Sequence, residues 1–221
     1  MYCILGNPIG NFSSKQKLLE LLNFAKQREL HVVIDEIYGN CIYDKKFEFQ
    51  SVLSFFDEIP DPLRTHFMWS FSKDLCCAGL RCGVIYSQNE LLVQAISKLG
   101  LVFSTPYATQ HKLSLLLKDK NWLDNFFEIN HERMLKSKEL MTMELLKLDL
   151  KILQSCSGFF LWVDFRLVFS PTLSSHEITF EKEMVLFDVF FKNGVYVVPG
   201  INIIFNCIYI YIVFKFYQDK L

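Results

Sequence analysis

The chain has little net charge, no long apolar run and no metal-ligand spacing. Its 24 acidic and 23 basic residues leave a formal charge of −1, so nothing in its overall field selects nucleic acid or an anionic membrane as a partner. The longest wholly apolar stretch, Cys207–Phe214, falls well short of the roughly 18 residues that a membrane-spanning helix needs, and no membrane partner is expected. Met1–Gly10 has no basic stretch leading into an apolar core, so no secretory leader is expected. The seven cysteines, Cys3, Cys41, Cys76, Cys77, Cys82, Cys156 and Cys207, are odd in number and contain no CxxC pair. With the five histidines they show no zinc spacing, so no metal is expected. Reduced, mostly buried thiols in a cytoplasmic protein follow from this usage. Internal repeats and low-complexity tracts are also lacking.

What is present is an ordinary globular composition, 51% apolar and 21% charged, with 22 phenylalanines to fill a core. A length of 221 residues allows one large domain or two small ones. Met1–Leu5 reads as a strand stub with so little before it that the chain is expected to begin inside a domain. Ser13 or Ser14 can cap a helix to about Glu29, with Leu18, Leu21, Leu22 and Ala25 on one face. Leu30–Ile34 has the apolar, β-branched look of a buried parallel strand. Phe67–Phe71 and Gly83–Ser87 are further strands, and Asn89–Leu99 is a helix. This order predicts an α/β fold with an open, mainly parallel sheet, in which ligands sit at the carboxyl ends of strands.

Beyond about Gly100 to Asn130 the alternation changes. One long helix is predicted from His131 to about Leu148, then strands at Ile152–Leu153 and Phe159–Val163. A helix over Phe180–Lys192 is stopped by Asn193-Gly194, and a strand over Val195–Val198 is stopped by Pro199-Gly200. The tail, Ile201–Leu221, has strong β character and little charge, and as an exposed segment it would be an aggregation hazard.

Chemistry concentrates at two strand ends. Ser70-Phe71-Ser72-Lys73 is followed by Gly79-Leu80-Arg81-Cys82-Gly83. A lysine held on a tight turn after a buried strand can be partly desolvated, which frees its amine to attack an aldehyde. The hydroxyls of Ser70 and Ser72 could meet a phosphate beside it, and Arg81, bracketed by glycines, could return to that phosphate with a forked donor set. Alone, a lysine after a strand is a solvated surface residue. Asp35, at the end of an apolar strand, needs a cationic or donor partner, and a protonated pyridine nitrogen would serve. Tyr38, three residues on, could hydrogen-bond a ring oxygen; otherwise Asp35 caps a turn and Tyr38 packs. Asn7, fixed by Pro8, could donate to the same oxygen or simply form a turn. Trp162, Asp164 and the five histidines, His31, His66, His111, His131 and His176, read as packing, structural or solvated residues.

The order NPxG, DExY, SxSKxxxxxGxRxG resembles the class I/II aminotransferases of PLP fold type I. The phrases FAKQRELHVVIDEIYGN, SVLSFFDEIPDPLRTHFMWSFSKDLCCAGLRCGVIYSQNE, LLKDKNWL, NHERMLKSKEL, SGFFLWVDFR and TFEKEM are similar to the animal 1-aminocyclopropane-1-carboxylate synthase-like proteins, over about residues 4–200. The resemblance implies pyridoxal 5'-phosphate as cofactor. Lys73 would form a Schiff base with it and move the substrate's Cα proton, and Asp35 would pair with the pyridine nitrogen. Asn7 and Tyr38 would contact the ring oxygen, while Ser70, Ser72 and Arg81 would hold the phosphate. It implies a small-molecule amino acid or an S-adenosylmethionine-like substrate, with transamination, elimination or cyclisation as the reaction, and a homodimer.

The resemblance also divides the chain. Residues 1–115 would be the C-terminal part of the cofactor-binding large domain, 116–200 a smaller α+β domain, and 201–221 a divergent apolar tail. Family members carry a long segment before the NPxG turn, and after the last matched strand an arginine that clamps the substrate carboxylate. Residues 201–221 hold no arginine, and a lysine such as Lys215 or Lys220 cannot give the forked geometry. The expectation is therefore an incomplete fold of this type with impaired turnover; the alternative is a non-catalytic remnant or interaction protein without cofactor.

Overall fold

Helix α1 (Lys15–Gln27) begins where Ser14 can satisfy an orphan amide: its hydroxyl accepts the Lys17 N–H at 3.4 Å. Leu18, Leu22 and Ala25 follow at helical spacing and are buried. They close over the first sheet, formed by β1 (Tyr2–Cys3), β2 (Val32–Asp35), β3 (Thr65–Ser70) and β4 (Gly83–Tyr86) in that spatial order. The β1–β2 and β2–β3 pairs are parallel and β3–β4 is antiparallel, so the sheet is mixed and mainly parallel. Ile34 and Phe67 from the strands join Leu18, Leu22, Val52, Phe55, Phe56 and Ile59 in one core, with Val52, Phe55 and Phe56 coming from a 3-10 segment, Val52–Glu58, capped by Ser51.

The computed structural model describes residues 2–3, 6–7, 9–44, 47, 49–165, 168, 180–199 and 209–213. They fall into two units, Met1–Gly6 with Asn11–His131, and Asn7–Gly10 with Glu132–Leu221. In the first unit, β3 stops one residue short of the predicted Phe71. The Ser70 hydroxyl accepts the Ser72 N–H at 3.2 Å and starts a single turn, α2 (Phe71–Asp74), instead. Helix α3 (Glu90–Phe103) is capped by Asn89, as its N-terminal asparagine suggests. Helix α4 (Tyr107–Lys118) was not anticipated, and α5 (Lys120–Leu146) starts well before His131. The signal for the early start is Leu123, Phe126 and Phe127, which pack against Phe71, Leu75 and Leu113.

The second unit is built on a sheet ordered β5 (Lys151–Ile152), β6 (Phe160–Asp164), β8 (Tyr209–Val213), β7 (Val198–Pro199), antiparallel throughout. All five residues of β6 are buried. Leu161 and Val163 from it pack with Leu145, Leu150, Leu186 and Val197. Helix α6 (Phe180–Lys192) ends at Gly194, whose φ of 80° lets the chain leave the helix without strain. Of the predicted strand Val195–Val198 only Val198 is strand, and Pro199, expected to stop it, is the second residue of β7. The tail's β character has an outlet: β8 is hydrogen-bonded on both sides, to β6 and β7, so this stretch is not the free edge feared from its composition. The rest of the tail, with Pro8 and Gly200, lies outside the described residues. Among those described, no helix is long and apolar enough to cross a membrane.

Leu22, 2% exposed, anchors α1 in the first core. Leu22→Ala is expected to cost about 2–5 kcal/mol in chemical denaturation. A loss under about 1 kcal/mol would mean that α1 is not packed as described.

Candidate cofactor site

Asp35 is the last residue of β2 and stands opposite Met68 of β3. Only 6% of it is exposed, and Oδ1 accepts the Ile37 N–H at 3.0 Å. Burial pushes its carboxyl above the usual range, against the opposing pull of that N–H. The Glu36 N–H donates to the Met68 carbonyl at 2.9 Å, carrying the chain from the strand into the turn that holds Tyr38. A cavity of about 290 Å³ lies at this strand end, lined by Asp35, Ile37, Trp69, Ser70 and Gly83 among others.

Lys73 sits on α2, at the carboxyl end of β3, and is half-buried. Its Nζ lies 5.7 Å from the centre of the Tyr38 ring, and Tyr38 itself is 3% exposed. Ser70 and Ser72 flank the lysine on the same turn, the Ser70 hydroxyl receiving the Ser72 amide. Arg81 comes back beside them because Phe71 N–H donates to the Cys82 carbonyl at 3.2 Å and Ser70 pairs with Gly83. Its side chain is exposed, and Nη1 donates to the Ala78 carbonyl at 3.0 Å. Thus Asp35 with Ser70, and Tyr38 with Lys73, are brought together, and Arg81 reaches the same loop. Asn7 lies on an exposed turn that groups with the second unit.

Two features of this region escaped the sequence reading. Cys76 and Arg81 both adopt left-handed backbone, with φ of 55° and 50°. For residues with a side chain this costs roughly 1–2 kcal/mol each, and such strain gathers where a loop is held in a required shape. The second is Asp74, fully buried directly after the lysine, with the Trp69 indole donating to its Oδ2 at 2.7 Å. The phrase WSFSKDL, with two serines and a lysine beside the aspartate, gives no sign of that burial, because a buried charge must find donors and Asn40 and Cys41 come from another part of the chain.

Glu36, 3% exposed, accepts the Val52 N–H at 2.7 Å. The carboxyls of Glu36 and Asp74 are also raised, first by burial. Of the described histidines only His131 is hydrogen-bonded to the turn that follows Tyr38. His31 Nδ1 and His66 Nε2 are 2.9 Å apart, His66 Nδ1 meets Ser87 Oγ at 2.8 Å, and His131 Nε2 meets the Asn40 carbonyl at 2.6 Å. His111 is exposed, and His176 lies outside the described residues. Trp162 and Asp164 are buried in β6. Cys41, Cys76, Cys77, Cys82 and Cys156 are free thiols. Among the described residues no group of three or more His, Cys, Asp or Glu could hold a metal ion.

Residues 2–204 match the family profile described as Aminotransferase class I and II. The chain is 36% identical over 190 residues to 1-aminocyclopropane-1-carboxylate synthase-like protein 1 of Takifugu rubripes, covering 86% of this chain and 30% of that protein. It is 35% identical over 188 residues to the human protein named probable inactive 1-aminocyclopropane-1-carboxylate synthase-like protein 2, covering 85% of this chain and 32% of that one. Among solved structures, a tetra mutant of Thermus thermophilus aspartate aminotransferase superposes with a TM-score of 0.78 at 21% identity, covering 96% of this chain and 53% of that one. The chain therefore spans about a third of the length of these curated relatives.

The raised carboxyls predict a pH effect with a definite sign. A carboxyl whose folded pKa exceeds its unfolded one binds protons more tightly in the fold, so it favours folding at low pH. That contribution is lost as pH rises from near the unfolded value through the folded one. For Glu36 the loss begins near its ordinary value of 4.5. Glu36→Gln keeps an acceptor for the Val52 amide and removes the titration. Measured by urea unfolding, its stability relative to wild type should be more favourable at about pH 7 than at about pH 4. The opposite trend would mean that Glu36 is held by a cation.

Proposed function

The chain belongs to the aminotransferase class I and II family, and on that premise we propose that it binds pyridoxal phosphate through Lys73 and acts at the α-carbon of an amino acid. The observation that carries this reading is the lysine's place: a half-buried amine at the carboxyl end of β3, 5.7 Å from the Tyr38 ring and one turn from a cavity lined by Asp35 and Ser70. The chemistry of these groups fits the cofactor. A buried carboxylate beside a cavity of about 290 Å³ suits a protonated ring nitrogen, and hydroxyls with a guanidinium on the facing loop suit a phosphate.

When bound, pyridoxal phosphate supplies an electron-withdrawing ring that stabilises negative charge at the α-carbon of an attached amino acid. Asp35 would hold the proton on the ring nitrogen, since its negative charge in a desolvated site favours the positive partner. The Tyr38 hydroxyl would donate to the ring oxygen. Ser70 and Ser72 would give hydroxyl donors to the phosphate. Arg81 would give its two-pronged charge after exchanging the Ala78 carbonyl for it. The Lys73 amine would hold the cofactor and, once the substrate's own amine has displaced it, would be free to take the proton from the substrate's α-carbon. The resemblance to the synthase-like proteins makes S-adenosylmethionine one candidate substrate beside ordinary amino acids, and a second copy of the chain a candidate partner.

A second reading has specific support. One relative, 35% identical over 188 residues, carries "probable inactive" in its name. Under it the chain keeps the cofactor-holding residues but turns over little.

Mixing purified protein with pyridoxal phosphate should produce the near-visible band of lysine-bound cofactor, and Lys73→Ala should abolish it. Identical spectra would defeat the proposal. If the wild-type band forms but is unmoved by amino acids or S-adenosylmethionine, the inactive reading holds; a substrate-dependent change favours an enzyme.

A further inference from the structure

Asp74 is 0% exposed, and its carboxylate collects four donors. Oδ2 accepts the Asn40 backbone N–H at 3.0 Å, the Asn40 side-chain amide at 3.2 Å and the Trp69 indole at 2.7 Å, while Oδ1 accepts the Cys41 thiol at 3.2 Å. An ionised carboxylate accepts only, at about four lone-pair sites, so this surrounding matches the charged form. Burial and then the nearby Asp74 charge push the Cys41 thiol far up, which keeps it protonated and able to donate.

The donors come from two different pieces of chain. Asn40 and Cys41 end the turn that begins at Tyr38, closed by Cys41 N–H donating to the Tyr38 carbonyl at 2.9 Å. Trp69 belongs to β3. Asp74 itself is covalently next to Lys73, on a turn closed by Cys76 N–H to the Lys73 carbonyl at 3.1 Å and Cys77 N–H to the Phe71 carbonyl at 3.0 Å. One buried carboxylate therefore ties the Tyr38 turn to the Lys73 turn.

We propose that Asp74 is a positioning residue, a buried clamp that sets the placement of Lys73 against Tyr38. Its consequence for cofactor chemistry rests on the reading of Lys73 given above; the clamp itself does not. Without the carboxylate the Asn40, Cys41 and Trp69 donors lose their shared acceptor, and the two turns move independently. Asparagine at this position keeps a single neutral carbonyl acceptor, so its N–H₂ must face either the Cys41 thiol or the Asn40 and Trp69 donors, and the charge that strengthens all four contacts is lost.

The test has two arms, both on the full chain. In cofactor-free protein, Asp74→Asn should speed amide hydrogen exchange roughly tenfold or more in both 37–41 and 71–77, the scale set by losing hydrogen bonds to a charged group. Exchange in 160–164 should not change. Should Asp74→Asn fail to fold, Asn40→Ala removes one donor and should speed exchange in both segments by a smaller factor. Acceleration confined to one segment, or none, overturns the clamp. In the second arm, the near-visible band of cofactor-loaded Asp74→Asn should titrate at a different pH from wild type. A wild type that takes up no cofactor defeats the functional reading while the exchange arm still decides the clamp. A loaded variant with an unchanged titration overturns the positioning role.

Discussion

Parallel hydrogen bonding between β2 and β3 is the constraint on which the candidate site depends. Val32 to Asp35 pair with Thr65 to Met68 in unbroken register, so both strands release their chains at the same edge of the sheet. The chain leaving β2 turns at once into Asp35, Glu36 and Tyr38. The chain leaving β3 turns into Ser70, Ser72, Lys73 and Asp74. Groups far apart in sequence meet because two strands end together, which is the usual reason that α/β sheets bind ligands at this edge. An antiparallel β4 then brings Gly83, and with it Arg81, back beside Ser70.

Three buried carboxyls gather at that edge. Asp35, Glu36 and Asp74 are all buried and all have raised carboxyl pKa values, with burial as the largest cause in each case. They are satisfied differently. Asp74 has four donors and serves the scaffold, Glu36 accepts the Val52 amide on the far side of the turn, and Asp35 faces the cavity. Lys73 is the cation nearest in sequence to this group. A buried carboxyl at the cavity with an amine at its rim is suited to a ligand carrying a protonated nitrogen, which is what the cofactor reading asks of it.

Much of this was legible from the residues. Ser14 as a cap, the apolar period of α1, the short β-branched run before Asp35 and the serines around Lys73 each carry their own local signal. The fold class follows from their order. What was not legible depends on partners distant in sequence. Asp74 reads as one more charge until Asn40, Cys41 and Trp69 are seen around it. Arg81 gives no hint of left-handed backbone, a conformation that its neighbours impose. The start of α5 lies before His131 because the expected boundary at about Gly100 to Asn130 is itself helical, with Leu123, Phe126 and Phe127 at helical spacing. The tail was read as a hazard because a strand's composition does not say whether it will find partners on both sides, as β8 does.

The most direct test of the central claim is to reduce the cofactor-treated protein with borohydride, digest it and map the modified lysine by mass spectrometry. The account predicts one dominant phosphopyridoxyl adduct on Lys73. Label spread over exposed lysines, or centred on any lysine but Lys73, would contradict it.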